Sequence, residues 1–402
     1  MIRAALLLSI LTSLGWWLHR EQHAGHLQKL DERFLDFLVA NTRERFEEAA
    51  KPGTESPVVL VKMRAVDKAD YAGWPPRPLD WQMIFKTLRS FEPSVLVIPE
   101  TIFWGRPPPE FTREAAEALL PFPSVVLGIE AQMTTDTDRP AFLGGLDDAL
   151  PCFLKVAGDT HAVPRLGALV IAPEEMLRRQ AEIGIAIARE ENGRTLLPYA
   201  VQEGGRLRPT VLAQALARAT HTPYAMHRLH LGPGAGAYLA GGVFLPLTHQ
   251  GDFTWKSAQT LPEIDALSLM TSELAGTLTA AEKQILSLGK IIVIGTEDTA
   301  GNGLARQYAQ ALSHALTLPR LRVLPAYGQW IVWAMAGLAG FWLVFRVPRK
   351  KALLRGTALI FAGGVICFLA FQSALIWCPP ALPAALLAAS ALFARVAGAV
   401  KG

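Results

Sequence analysis

The sequence of 402 residues predicts an α/β domain with a largely parallel or mixed sheet, joined to membrane-embedded segments. Between residues 57 and 318, short apolar strands alternate with helical segments of about ten residues, which is the pattern of an α/β layout. From Tyr327 to Val400 the chain is almost entirely apolar, and a further apolar run stands at the N-terminus. We therefore expect one large folded domain between two membrane-embedded segments.

The N-terminal run, Ile2 to Leu18, is apolar apart from Arg3. It is either a secretory signal peptide or an uncleaved anchor. The bulky exit Trp16-Trp17 has no small-x-small cleavage pattern and is typical of a membrane interface, which favours the anchor. Residues 1–20 are predicted to be an N-terminal transmembrane anchor.

A charged helix is predicted next, from Gln22 to Ala50. Its apolar residues, among them Leu27, Leu30 and Phe34, recur at three- and four-residue steps. Two interpretations stay open for this helix. It lies on the domain, or it forms a short dimer seam, which makes a second copy of the chain a candidate partner.

The α/β domain is predicted from its apolar runs. The expected strands are Pro57–Met63, Ser94–Ile98, Ser124–Ile129 and Lys290–Gly295. The expected helices run from Asp80 to Phe91, from Thr112 to Leu120, from Thr210 to Ala219, from a Thr279/Glu282 capping box to Leu288, and through His314 to Leu318. Ile183–Ala188 and Thr195–Val201 flank an Asn-Gly pair and predict a hairpin, and Tyr224–Leu231 and Val243–Leu247 are further expected strands.

Three C-terminal apolar runs are long enough to predict membrane spans: Trp330–Phe345, Thr357–Trp377 and Ala381–Val400. About 20 helical residues cross a hydrocarbon core, and the first run reaches that length from Tyr327. Arg395 in the third run is expected to extend its side chain toward the headgroups. Residues 327–402 are thus predicted to be a three-helix transmembrane segment, and residues 21–326 the folded domain.

The charges between these runs predict the orientation. Short loops rich in Lys and Arg stay in the cytoplasm, whereas the Cys378-Pro379-Pro380 turn carries no charge. The basic residues between the first two runs are Arg346, Arg349, Lys350, Lys351 and Arg355. We therefore expect a multi-pass protein of the inner membrane, in contact with lipid, with its large domain in the periplasm or outside the cell.

The composition of the chain limits the classes of molecule that it is expected to bind. The net charge of +4 is modest, and no basic stripe interleaved with aromatic residues appears, so nucleic acid is excluded. Of the three cysteines, Cys367 and Cys378 belong to the membrane part and only Cys152 to the folded domain. One thiol cannot form an internal disulfide, so the domain is expected to depend on its apolar core.

No catalytic or metal-binding motif in the sequence supports an enzyme. The strand, Gly-rich turn and helix at Ile291–Leu318 could cradle an anion, but they lack the phosphate-loop and dinucleotide spacings. His227 and His230 would point to opposite faces of a strand, which disfavours a metal site. We expect no catalytic residue, no metal and no cofactor.

The order of these elements resembles the CHASE type 2 sensory domain, the extracellular module of bacterial receptors attached to cyclases, histidine kinases and Ser/Thr kinases. The matching stretches are the anchor and charged helix, Pro57–Val61, Trp74–Arg77, Ser94–Phe103, Gly204–Pro209, Gly289–Gly295 and the three spans. Pro99-Glu100 stand where the family usually has Phe-Asp. The resemblance implies a sensor whose signal leaves through its helices or through a separate cytoplasmic kinase or cyclase.

If the domain binds a small molecule or an envelope ligand, we expect the site at the carboxyl ends of the sheet strands, where ligands of open α/β sheets bind. The candidate ligand-binding residues are Trp74, Arg77, Glu100, Thr296 and Asp298. Two other functions remain as alternatives: a structural or assembly protein of the cell envelope, and a membrane-tethered hydrolase.

Overall fold

A computed structural model describes the chain over much of its length. The described residues are 30–31, 33–35, 37–38, 41–42, 56–64, 74–105, 107–134, 146, 150–191, 194–231, 235–239, 243–248, 250–255, 260–275, 278–297, 303–318 and 321–396. The chain divides into two compact units, residues 44–319 and residues 1–43 with 320–402. The predicted anchor at residues 1–20 and Asp298 lie outside the described residues.

The strands of the described residues are numbered in chain order. They are β1 Val58–Arg64, β2 Val95–Ile98, β3 Val125–Thr134, β4 Lys155–Gly158, β5 Arg165–Ile171, β6 Glu182–Ala186, β7 Arg189–Glu191, β8 Arg194–Pro198, β9 Ala200–Glu203, β10 Arg206–Pro209, β11 Arg228–Leu231, β12 Gly236–Tyr238, β13 Phe244–Pro246, β14 Asp252–Phe253, β15 Glu263–Asp265, β16 Ile291–Glu297, β17 Arg322–Val323 and β18 Ile376–Trp377.

The helices with bounds in the structure are numbered in the same way. They are α1 Pro78–Arg89, α2 Pro109–Glu117, α3 Glu175–Arg178, α4 Val211–Ala219, α5 Ala266–Ala275, α6 Ala280–Leu288, α7 Leu304–Thr317, α8 Ala326–Arg346, α9 Arg349–Ala374 and α10 Ala381–Val396. The described residues between 30 and 42 are helical as well. The Thr279/Glu282 capping box predicted for α6 is confirmed.

The α/β unit is built on a mixed sheet. Its order is β10-β9-β5-β3-β2-β16-β1-β15, and β6 also pairs with β3. The strands from β3 to β15 in this order run parallel to their neighbours, whereas β5 is antiparallel to β3. The central strands are apolar along their length because both faces of the sheet are covered, which agrees with the predicted fold class.

Helices cover the two faces of this sheet in a way that matters for the site. Val59 and Ile292 point to the face on which Trp81 of α1 and Ala115 of α2 are buried. Helix α7 also packs on β1 and β16. Its Ser313 hydroxyl lies 2.8 Å from the hydroxyl of Ser56, a residue that precedes β1. Since side chains alternate along a strand, α7 covers the face opposite to α1 and α2.

Several sequence-based boundaries are corrected by the structure. The helix expected at Thr112 begins at Pro109, because proline is well placed in a first helical turn. The predicted strand Ile183–Ala188 is not an arm of the hairpin: β6 pairs parallel with β3 in the main sheet. The hairpin is formed instead by β7 and β8. The strand predicted from Tyr224 begins only at Arg228, after a 3-10 turn.

The second unit consists largely of apolar helices. Two of them, Tyr327–Arg346 and Lys350–Ala374, are long and apolar enough to cross a membrane. The third apolar run forms α10, whose 16 residues span about 24 Å at 1.5 Å per residue, short of the roughly 30 Å hydrocarbon core. A three-helix transmembrane segment therefore remains a prediction.

Glycine contacts show where these helices pack closely. A Cβ atom on Gly340 of α8 would collide with Ser390 of α10, and one on Gly356 of α9 would lie 2.5 Å from the Cβ of Ala391. Both glycines are therefore required by the close approach of α10. A Cβ on Gly337 would meet no described atom within 4 Å.

Candidate functional site

The candidate site lies at the carboxyl edge, by which we mean the edge of the main sheet where the parallel strands β1, β2 and β16 end. The helices that follow β1 and β2 lie on one face of the sheet, and α7, which follows β16, packs on the other. Because β16 lies between β1 and β2, a crevice is expected on either side of its end, as at the switch point of other open α/β sheets.

Glu100 and Thr296 meet where β2 and β16 end. The Thr296 backbone N–H donates to both carboxyl oxygens of Glu100, at 3.0 Å to Oε1 and 3.1 Å to Oε2. The Thr296 hydroxyl donates to Oε1 at 2.9 Å. Three hydrogen bonds therefore join the residues that end two neighbouring strands.

Gly295 makes this contact possible. A Cβ atom at this position would lie 2.5 Å from the Cβ of Ala305 in the first turn of α7 and 3.1 Å from Oε1 of Glu100. Any larger residue would push the helix or the carboxyl group away. The Glu100 carboxyl group thus lies beside the N-terminal turn of α7, which follows the Gly-rich turn considered in the sequence analysis.

The environment of Glu100 changes its protonation. Burial raises the pKa of this carboxyl group to about 7, although the two kinds of hydrogen bond from Thr296 act in the opposite direction. Removal from water destabilises the charged form of a carboxyl group, and at Glu100 this effect is larger than the stabilisation of the charged form by the hydrogen bonds from Thr296. Glu100 therefore exchanges its proton near neutral pH.

A second group of charged residues, the edge network, lies on the other side of β16. It consists of Lys62, Glu263, Glu297 and Arg306. Lys62 Nζ lies 2.9 Å from Glu263, and Arg306 bridges Glu263 at 2.6 Å and Glu297 at 2.5 Å. Although burial opposes it, hydrogen bonds from Arg306 and Lys62 lower the pKa of Glu263. The network ties α7 to the ends of β15 and β16.

Thr101 fixes the backbone that carries Glu100. Its hydroxyl donates to the Gly128 carbonyl at 3.0 Å and accepts the Glu130 N–H at 2.8 Å, which links the end of β2 to β3. Trp74 Nε1 donates to the Thr101 carbonyl at 3.0 Å. These bonds hold the loop after β2 in one position, so that the carboxyl group of Glu100 is directed toward β16.

The predicted site residues thus separate into three groups. Glu100 and Thr296 are in contact, and Trp74 supports the same loop through Thr101. Arg77 is largely exposed and its Nε donates to Asp80 at 3.3 Å, where it belongs to the cap of α1. Asp298 lies outside the described residues.

The edge network was missed at the sequence level, although a signal existed. Lys62 interrupts an otherwise apolar strand, and Glu297 ends the most apolar strand of the sheet. Charged residues at the ends of neighbouring parallel strands are expected to meet. Arg306 carried no such signal, because only the packing of α7 brings it to the edge.

His227 is part of the core rather than a metal ligand. Its Nε2 donates to the Thr222 carbonyl at 3.0 Å, and its Nδ1 accepts from the Tyr199 hydroxyl at 3.2 Å. Burial lowers its pKa to about 4, so the ring is neutral. Within the described ranges, no group of three His, Cys, Asp or Glu side chains is placed to hold a metal ion.

Comparisons with known proteins add no family. No protein-family model, no curated protein and no solved structure matches this chain. The resemblance to the CHASE type 2 domain therefore stays a prediction. The class of molecule that the chain itself defines is a mixed α/β unit in a chain with two helices long and apolar enough to cross a membrane.

Proposed function

We propose that the protein is a membrane-bound sensory receptor component that binds a small molecule or an envelope ligand at the carboxyl edge. The observation that carries this proposal is the contact of Glu100 with Thr296 beside the first turn of α7. A ligand that competes for the Glu100 carboxyl group would release Thr296 and the start of α7. A binding event at this edge would therefore be linked to the position of a helix.

The chain continues from this helix toward the apolar segments. Residues 318–325 connect α7 to α8, which is the first of the described helices that is long and apolar enough to cross a membrane. A ligand that prefers one arrangement of α7 would shift the population of arrangements, in proportion to its difference in affinity for them. Signalling then passes through the spans to a separate cytoplasmic kinase or cyclase, and two copies of the chain could act together.

The membrane topology belongs to the same proposal. An N-terminal anchor and three C-terminal spans would place the α/β unit in the periplasm or outside the cell. The basic stretch from Arg346 to Lys351, which joins the end of α8 to the start of α9, supports this orientation, because such basic connections remain in the cytoplasm.

Single cysteines test the orientation in a chain whose native cysteines are replaced by serine. Glu110→Cys lies on the exposed side of α2, and Lys351→Cys lies in the first turn of α9, where Lys351 is exposed and belongs to the basic stretch between the two long apolar helices. A membrane-impermeant maleimide added to intact cells is expected to label Glu110→Cys, and to label Lys351→Cys only after the membrane is disrupted. The reverse pattern would remove the receptor proposal.

The signalling step is tested with two glutamates that each bind a threonine. Glu100 lies at the carboxyl edge, whereas Glu282 caps α6 by bonds to Thr279. Full-length protein is purified in mild detergent, and co-purifying kinases or cyclases are identified and assayed. We expect Glu100→Gln to change the partner's activity and the matched Glu282→Gln to leave it unaltered. Equal behaviour of both variants would contradict the proposal.

A membrane-tethered hydrolase is the second candidate, because Glu100 has the pKa of a general acid or base at neutral pH. In that case Glu100→Gln would abolish turnover of ester or glycoside test substrates by the full-length protein. The receptor proposal expects no turnover by either protein.

A further inference from the structure

We propose that the helix at residues 30–42 contacts the lipid bilayer through Leu30, Phe34 and Phe37, which we call its aromatic face. The sequence left two interpretations open for this segment, a helix on the folded domain or a dimer seam. The structure places it in the same compact unit as the apolar helices of residues 320–402. The inference rests on the membrane-bound state proposed above and adds a lipid contact that the receptor proposal itself does not require.

One face of this helix is buried. Its residues recur at spacings of three and four, as on one side of a helix: Asp31, Leu35, Leu38 and Thr42. The Asp31 carboxyl group accepts the backbone N–H of Ala381, the first residue of α10, at 2.7 Å. The ring centroids of Phe34 and Trp377 lie 6.4 Å apart, and Trp377 follows α9 in the chain. The helix is therefore held at the connection between α9 and α10.

The aromatic face lies on a different side of the helix. Leu30 is 55 % and Phe37 is 53 % exposed, and Phe34, between them in the sequence, is half-buried and stacks on Phe37 at 6.2 Å. Their spacing of four and three residues places them in one row. Two polar residues share the exposed side. Asn41 donates its amide to the Phe37 carbonyl at 2.7 Å, and Arg33 has a side chain long enough to reach lipid headgroups.

The aromatic face continues onto the exposed surface of α9. The ring centroids of Phe37 and Phe368 lie 6.4 Å apart. Phe361 and Val365 precede Phe368 by seven and three residues, so all three lie on one side of α9. On that side Phe361 is 74 % and Val365 is 40 % exposed. Whatever covers this side of α9 therefore also covers Phe37.

The interior of a bilayer is the occupant that this surface fits. The helix Lys350–Ala374, which carries Phe361, is long and apolar enough to cross a membrane. Phe368 lies six residues before the end of α9 at Ala374, which is about 9 Å along the helix axis. Amphipathic helices at a membrane surface bury their apolar faces to a depth of about 5–10 Å. A seam between two copies needs an apolar repeat over about three heptads or more, and residues 30–42 hold fewer than two.

Quenching of single labels by lipid tests this contact. The native cysteines of the full-length chain are replaced by serine, and one new cysteine at a time is labelled with the fluorophore NBD. The purified protein is reconstituted into phosphatidylcholine vesicles with or without bromine on the acyl chains, which quenches only labels in the apolar interior. We expect Phe37→Cys and Leu30→Cys to be quenched as Phe361→Cys in α9 is. Leu154→Cys, at a position 72 % exposed in the α/β unit, should not be quenched.

The controls keep this contact distinct from the membrane assignment on which it rests. If Phe361→Cys is quenched and Phe37→Cys is not, the lipid contact is excluded while the span of α9 stands. If Phe361→Cys is not quenched, both fall. Leu30→Cys takes the place of Phe37→Cys in this comparison if the latter does not fold. Disulfide-linked dimers of unlabelled Phe37→Cys after oxidation in native membranes would assign the aromatic face to a second copy and overturn the lipid contact.

Discussion

The two units of this chain differ in how far their large apolar side chains are exposed. In the α/β unit, Trp81 and Phe85 are 0 % exposed. In the helical unit, Leu338 is 70 % and Phe361 is 74 % exposed. A soluble domain must remove such surface from water, at about 25 cal/mol per Å². The contrast teaches that exposed apolar surface is concentrated on the helices that are long and apolar enough to cross a membrane, and a bilayer interior would remove its cost.

The C-terminal part of the helical unit also differs from the α/β unit in charge. All 35 acidic residues precede Thr299, so residues 320–402 contain Lys and Arg but no Asp or Glu. In the α/β unit, by contrast, buried cations such as Arg208 are paired with a carboxylate, here Glu203 at 3.0 Å. Residues 320–402 carry their cations outside the central turns of the helices and contain no carboxylate, which agrees with the rarity of charged residues in the middle of membrane spans.

The largest difference between the two units is expected when one phenylalanine ring is removed from each of them. Phe85→Ala in α1 should lower the free energy of unfolding by about 3–5 kcal/mol, because it leaves a cavity in a closed core. Phe361→Ala in α9 should change it by no more than about 0.5 kcal/mol. Thermal unfolding of the full-length protein in detergent measures both, and equal losses would contradict the assignment of α9.

A charge introduced on the exposed apolar surface should have nearly as large an effect. Phe361→Arg places a guanidinium near the middle of α9, where insertion costs about 3 kcal/mol. A smaller fraction of the protein should then resist alkaline extraction from membranes. Leu154→Arg is the control, because Leu154 is 72 % exposed in the α/β unit. Its extraction should equal that of the wild type.

Protonation of Glu100 should make the stability of the α/β unit depend on pH. Its pKa is about 7 in the folded state and about 4.5 when unfolded. Between these values the folded state keeps a proton that the unfolded state releases. Stability is therefore fully present below pH 4.5 and falls as the pH rises through 7, by at most about 3 kcal/mol. Glu100→Gln should abolish this loss when unfolding is followed from pH 4 to pH 8.

Two comparisons make that measurement specific. His227 titrates in both proteins and cancels in the difference between wild type and variant. Glu282, whose pKa is lowered by its bonds to Thr279, has the opposite sign: its contribution is lost as the pH falls. A Glu282→Gln protein that lost the same pH dependence as Glu100→Gln would contradict the assignment to Glu100.

The smallest effect is expected from two glycines three residues apart in α8. Gly340→Ala should destabilise the packing of α8 on α10 by about 1 kcal/mol, because the new methyl group meets Ser390. Gly337→Ala should be neutral or stabilising by up to about 1 kcal/mol, since alanine favours the helix and its Cβ meets no described atom within 4 Å. Thermal unfolding of both variants in detergent, followed by the loss of helical circular dichroism, shows which variant is less stable.

Much of the α/β architecture could be predicted, because the central strands are short apolar runs bounded by turn residues. β1, β2, β3 and β16 lie where the sequence placed them. β6 was assigned to a hairpin, because an apolar run beside an Asn-Gly pair does not reveal whether its partner is local or distant. Its parallel pairing with β3 depends on the crossover connection.

The candidate site was predicted in part for a similar reason. Glu100 and Thr296 follow the ends of predicted strands, and parallel strands end at a common edge, so their proximity could be expected. Arg306 and Glu263 could not be found in this way. They meet only because α7 packs against β1 and β16 and brings its first turn to the carboxyl edge.

The sequence by itself determined the strand-forming runs, the uncompensated cations of the C-terminal segment and the length of its two long helices, because each depends on local hydrophobicity and charge. Only the tertiary structure decided that the Glu100 carboxyl group accepts hydrogen bonds from Thr296 and that Arg306 bridges two glutamates. These contacts join residues distant along the chain, and their distances and their effects on proton affinity arise from packing, which no local pattern encodes.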